Sequence, residues 1–191
     1  MEVSAVPVKQ IIISGFGGQG IVAAGKTLIY AAMLDGMKVS LLPSYGPEMR
    51  GGFANCHVII SEESIASPIV SSPDLVIAMS LPALEKFEPR LKSGGSLIID
   101  SYLIKRSNFR DDIDVHLVPA TRMAIDAGNV KFANVIMLGV MMELIDCPGQ
   151  ESMGKAIMNM LTDDKKMLFD KEMEALRLGR EYAAAHPVCT N

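Results

Sequence analysis

The stretch Ser44-Tyr45-Gly46-Pro47-Glu48-Met49-Arg50-Gly51-Gly52 places a phenol, a carboxylate and a guanidinium close together between two glycine hinges. Arg50 carries a planar fork of donors that grips a carboxylate or phosphate bidentately, or pairs with Glu48 or a partner's acid. Loops after sheet strands are where functional groups are usually mounted. The plainer reading is an internal Glu48–Arg50 arrangement that only shapes the loop. A second stretch, Gly15-Phe16-Gly17-Gly18-Gln19-Gly20, joins the apolar run Gln10 to Ser14 to a helical pattern over Ile21 to Met33. Glycines accept a positive φ there, which would cost a residue with a Cβ about 1 kcal/mol or more. A helix starting beside the turn aims unpaired N–H groups and a partial positive charge at whatever lies above it. Gly15, Gly17, Gly18, Gln19 and Gly20 are therefore candidate contacts for an anion or a partner's acceptor groups. The alternative is a turn that packs helix on strand and binds nothing.

Two familiar spellings overlap this turn, and the chemistry argues against both. Gly15-x-Gly17-x-x-Gly20 matches the dinucleotide fingerprint. A nicotinamide site also wants an acid at the end of the second strand to hold the ribose hydroxyls, and this chain has Leu42-Pro43-Ser44. Gly20 to Thr27 spells a Walker A loop, with Leu97 to Asp100 as a Walker B strand. Its inner residues are apolar and helix-like, so Lys26 would sit about 10 Å along a helix and not in a phosphate-wrapping turn. His57, His116 and His186 have no triad or metal spacing around them and read as structural. Cys56, Cys147 and Cys189 are scattered without a Cys-x-x-Cys, so neither an Fe–S cluster nor a zinc site is expected.

The elements that must position these groups follow from periodicity. Strands are expected at residues 10–15, 38–42, 53–61, 74–79, 96–100 and 114–119, with a short one at 69–70. Pro43 is expected to end the second, and 44–52 to be irregular. Helices are expected over 19–35, stopped by Gly36, and over 83–91, capped by Ser80. Others fall at 121–127, 132–145, 151–161 and 164–185. The 132–145 helix is apolar nearly all round, so it belongs in the core or at a subunit contact. This alternation implies an α/β fold, a three-layer α/β/α sandwich with a mainly parallel sheet and a Rossmann-like first βα unit. One or two strands could run antiparallel. Residues 1–191 read as a single domain.

The composition sets outer limits. The 191 residues are 49% hydrophobic and 21% charged, which is globular. Net charge is −4 with no Lys/Arg cluster, which argues against nucleic acid or an anionic membrane as partner. No membrane span is expected, because the longest strongly apolar run, Val135 to Met142, is far short of the ~20 residues that cross a bilayer. Residues Met1 to Ala5 have no basic and apolar regions of a secretory leader, and the scattered thiols suit a reducing, cytoplasmic setting.

Taken together, Gly15 to Gly20, Ser44 to Gly52 with Ala54-Asn55, and Asn134-x-x-x-Leu138-Gly139 resemble the gamma subunit of 2-oxoacid:ferredoxin oxidoreductases. The Tyr-Gly-Pro-Glu-Met-Arg form is similar to the 2-oxoglutarate and branched-chain 2-oxoacid types. Phe53 departs from the small residue the family pattern has there. The resemblance implies a complex that decarboxylates a 2-oxoacid on thiamine diphosphate and passes electrons through [4Fe–4S] clusters to ferredoxin. The product is an acyl-CoA, with CoA as co-substrate. It implies that thiamine diphosphate, Mg and the clusters sit on partner chains: alpha and beta subunits, with or without delta. This chain alone would be inactive and hold no metal or redox cofactor. Tyr45, Glu48 and Arg50 would then lie near the active site or the CoA entrance. Rival readings are a stand-alone nucleotide- or flavin-binding module, an indolepyruvate-type subunit, and a purely structural subunit.

Overall fold

The computed structural model describes residues 8–46 and 52–186. Its strands are β1 (Lys9–Phe16), β2 (Lys38–Tyr45), β3 (Phe53–Ser61), β4 (Leu75–Ala78), β5 (Ser96–Asp100) and β6 (Asp114–Val118). They form one sheet in the order β2-β3-β1-β4-β5-β6. β1, β4, β5 and β6 are mutually parallel, and β3 runs antiparallel to both of its neighbours, β1 and β2. The sheet is thus mainly parallel, with β3 as its reversed strand. The described helices are α1 (Ile21–Leu34), α2 (Leu81–Phe87), α3 (Ala120–Asp126), α4 (Ala133–Met142), α5 (Gln150–Met160) and α6 (Phe169–Ala185).

The three layers are unequal. α1, α3, α4, α5 and α6 contribute to the apolar cluster on one face of the sheet. On the other face α2 works with loop residues Val70, Leu91, Ile104, Phe109 and Ile113. β1 shows why its sequence lacks alternation: Ile11 and Ile13 enter the first cluster and Ile12 the second, so both faces are dry. In α1, Ile21, Gly25, Leu28 and Ala32 are all buried, the expected stripe. Gly25 lets the helix sit close on β3, because a Cβ there would stand 2.6 Å from the Cys56 sulfur.

Four local expectations need correction. β2 does not stop at Pro43 but runs to Tyr45, so Ser44 and Tyr45 are strand residues. The Gly46 N–H donates to the Phe53 carbonyl at 2.7 Å, one step beyond the Tyr45–Ala54 pair. Even-numbered residues of β2 therefore bond to β3, and odd-numbered ones, Pro43 included, face the free edge. There a proline forfeits no ladder bond. No strand forms at 69–70, because side chains satisfy that backbone: the Val70 N–H donates to His57 Nδ1 and Arg90 Nη2 donates to the Val70 carbonyl. The 83–91 helix is α2 followed by a 3-10 turn, Glu88–Arg90; Pro89 has no N–H to continue the α-helical ladder. The 164–185 helix likewise divides into a 3-10 segment, Asp163–Leu168, and α6.

α4 is core. All its residues but Met142 are buried, and it crosses α6 through Gly139 and Gly179. A Cβ on Gly139 would strike the Leu176 carbonyl, and one on Gly179 the Ile136 carbonyl. Among the described residues no helix is long and apolar enough to cross a membrane.

Candidate functional site

The carboxyl ends of β1, β4, β5 and β6 lie along one rim of the sheet. β2 ends and β3 begins at the same rim, since β3 is reversed. At the end of β1 the chain leaves one way through α1 to β2, while β4 lies on the other side. This is a topological switch point, the usual place for a ligand crevice in an open α/β sheet.

The glycine turn is built at that point. Gly18 and Gly20 have φ of 98° and 75°, a left-handed conformation that a Cβ would strain. Gly20 is the N-cap of α1, which has no side-chain cap and no acid in its first turn. Its free N–H groups and partial positive charge therefore remain uncompensated by the helix's own side chains. Gln19 is not a free contact. Its Oε1 accepts from the Phe16 N–H at 2.6 Å and its Nε2 donates to the Met79 carbonyl at 2.8 Å. It clamps the turn to the end of β4. Gly15 leaves room for that clamp, since a Cβ there would collide with Gln19 Oε1 and stand 2.9 Å from Ile21 Cδ1.

The other motif arrives at the same place. The Gly17 N–H donates to the Gly52 carbonyl at 2.8 Å, which extends the β1–β3 ladder beyond Phe16. β2 and β3 form a hairpin whose tip springs from Gly46 and Gly52, beside the turn. Tyr45 stands at its base, 67% exposed. Glu48 and Arg50 lie outside the described residues.

Asn134, at the start of α4, is a participant that local spacing alone did not single out, since it enters from 114 residues away. Its Nδ2 donates to the Gly20 carbonyl at 3.1 Å. Flipping the amide would set oxygen against oxygen, so this orientation is fixed. Asn134 is only 9% exposed, and its Oδ1 has no partner among the described residues. It lines a cleft of about 340 Å³ with Gly18, Gly20, Thr27, Lys131 and Lys165. A buried acceptor without a donor costs roughly 1–3 kcal/mol, and a ligand donor would recover it. The cleft thus brings together the uncapped start of α1, the Asn134 carboxamide and the side chains of Lys131 and Lys165.

Groups elsewhere are held for structure. Cys56 is buried, and burial pushes its thiol up to about 12. Burial, with the nearby Asp35 charge, pushes Cys147 up to about 11. Burial and the charges of Arg90 and Lys86 hold His57 below its ordinary value, and burial does the same to His116. Lys26 is exposed on α1, away from any loop. Cys189 lies outside the described residues. Among the described residues no three His, Cys, Asp or Glu side chains are grouped to hold a metal ion.

The model of the family "Pyruvate ferredoxin/flavodoxin oxidoreductase" matches residues 10–182. The chain belongs to this family. It is 37% identical to the ketoisovalerate oxidoreductase subunit VorA of Methanothermobacter thermautotrophicus, over 93% of this chain but only 37% of that one. Thus it spans about a third of VorA's length. It is also 37% identical to the 2-oxoglutarate synthase subunit KorC of Methanocaldococcus jannaschii, covering 88% of this chain and 94% of KorC. The crystal structure of the gamma subunit of a keto/oxoacid ferredoxin oxidoreductase from Geobacter sulfurreducens superposes with a TM-score of 0.79 at 29% identity. That match covers 93% of this chain and 99% of the other. The family unit therefore occurs both as a separate subunit and as part of a longer polypeptide. The mainly parallel, mixed sheet inferred from the sequence is the fold of these relatives.

Proposed function

We propose that this chain is the gamma-type subunit of a 2-oxoacid:ferredoxin oxidoreductase, with 2-oxoglutarate as the oxoacid. The complex would release CO2, pass electrons to ferredoxin and form an acyl-CoA. Thiamine diphosphate, Mg and the [4Fe–4S] clusters would belong to the alpha, beta or delta partners, and this chain would be inactive alone. The observation that carries the reading is the backbone bond from Gly17 to Gly52. It ties the two motif segments into one rim beside a cleft with uncompensated helix N–H groups.

In this reading the rim receives CoA. The N–H groups of α1 meet a phosphate, and Asn134 Oδ1 accepts from a donor on the same molecule. Tyr45, Glu48 and Arg50 cover the entrance and brace the catalytic subunits. Gln19 acts by holding the turn in shape.

The test is reconstitution with the partner subunits and either wild-type chain or Arg50→Ala. A raised KM for CoA or weakened assembly is expected. Unchanged assembly together with unchanged acyl-CoA formation would remove Arg50 from the mechanism. Formation of acyl-CoA without this chain would overturn the reading as a whole. The rival of a stand-alone nucleotide module predicts tight binding of NAD, FMN or ATP by the isolated chain, which the same preparation can measure.

A further inference from the structure

The Asn134 cleft holds more unmet polar chemistry than one buried carbonyl oxygen. Glu172, in the first turn of α6, lines the same space and is half-buried. Its carboxylate enters no ion pair among the described residues. Burial raises its carboxyl above the ordinary value, against an opposing pull from the Lys165 charge. Asn134 Oδ1 is buried without a partner, and the amide nitrogen beside it is already spent on the Gly20 carbonyl. Two acceptors therefore line one cleft with no donor bonded to either. Lys131 and Lys165 line it as well and are exposed, so they stand toward its mouth. Neither ammonium enters an ion pair among the described residues. Phe132, Val135, Leu138 and Leu168 give the cleft apolar walls.

These features select a ligand. Two acceptors call for a group that brings two N–H bonds on one nitrogen, as a ring amino group does and a secondary amide does not. Apolar walls suit a flat ring, and unpaired lysines at the mouth suit a phosphate. We propose that the cleft takes an aminopurine whose sugar carries a phosphate: the amino group donates to Asn134 Oδ1 and Glu172, and Lys131 and Lys165 pair with the phosphate. This rests on the reading that the rim receives CoA, and it gives the cleft the adenosine 3′-phosphate end of that molecule. The thiol end is then free to reach a partner subunit's thiamine diphosphate. Asn134 and Glu172 decide which base is accepted, and the two lysines add affinity for the phosphate.

The test uses the reconstituted complex and two inhibitors without the pantetheine arm, adenosine 3′,5′-bisphosphate and its inosine counterpart. The inosine form has an oxygen in place of the amino group, which sets oxygen against both acceptors. Adenosine 3′,5′-bisphosphate is expected to compete with CoA, and the inosine form to inhibit about ten-fold more weakly or worse. Asn134→Ala and Glu172→Leu should each shrink that preference about two- to ten-fold. Lys131→Met and Lys165→Met should each weaken both inhibitors together, about three- to ten-fold, and keep the preference between them. Equal inhibition by the two bisphosphates, no competition with CoA, or a full preference retained in both Asn134→Ala and Glu172→Leu overturns the proposal. The KM for CoA separates the two levels. If it rises in Asn134→Ala while the bisphosphates inhibit equally, CoA still reaches the cleft and only the base assignment falls. If it is unmoved in every variant, the CoA reading of the cleft falls too.

Discussion

Asn134→Ala separates a binding role from a structural one, because the two make opposite demands on stability. The substitution removes one hydrogen bond to the Gly20 carbonyl, 3.1 Å long, worth roughly 0.5–1.5 kcal/mol. It leaves a small void, on the order of 1 kcal/mol. It also deletes the buried, unpartnered Oδ1, which gives back roughly 1–3 kcal/mol. These oppose one another, so the isolated chain should change in stability by no more than about 1.5 kcal/mol in either direction. Urea unfolding followed by circular dichroism measures this. In the reconstituted complex the same variant should raise KM for CoA roughly two- to ten-fold, the worth of one lost hydrogen bond. Asn134→Asp should be worse on both counts. It cannot donate to Gly20, and its charge repels an incoming phosphate. A large loss of stability in Asn134→Ala with an unchanged KM would make Asn134 a brace for α1 and refute the ligand role.

Three other outcomes follow from the packing and the titrating groups. Gly179→Ala should destabilise the chain by about 1–3 kcal/mol or prevent folding, because the added Cβ meets the Ile136 carbonyl of α4; a wild-type urea midpoint would show that the helices can part cheaply. Acid should weaken the fold. His57 and His116 are held below the ordinary 6.5, so the folded chain binds fewer protons than the unfolded one, and stability falls as pH drops below about 6.5. Urea midpoints at pH 7.5 and 5.5 test this, and His57→Asn with His116→Asn should flatten the difference. Cys56, buried with its thiol pushed up to about 12, should resist an aqueous thiol reagent until the chain unfolds, whereas labelling at the native protein's surface rate would contradict its placement.

Much of the fold was legible because burial on both faces of a sheet leaves a local mark. The run Ile11-Ile12-Ile13 announces a central strand, and the stripe Ile21, Gly25, Leu28, Ala32 announces a helix laid on it. β3 and β5 were legible to the residue for the same reason. The misjudged boundaries depend on a neighbour. Pro43 reads as a stop, yet it is harmless once β2 is an edge strand and the odd residues face outward. Val70 looks like strand material, yet His57 and Arg90 take its backbone groups. Gly179 reads as an ordinary helix glycine, and only the crossing with α4 shows why a larger residue would not fit.

The sequence by itself determined the two glycine-flanked segments and the family they resemble, since turn chemistry and side-chain types are encoded residue by residue. Only the tertiary structure decided that Gly17 bonds to Gly52, that Gln19 is consumed as a clamp, and that Asn134 closes the same cleft. The physical reason is that a hydrogen bond depends on separation in space. Reversal of β3 and the burial of α4 set those separations, and no local pattern records either.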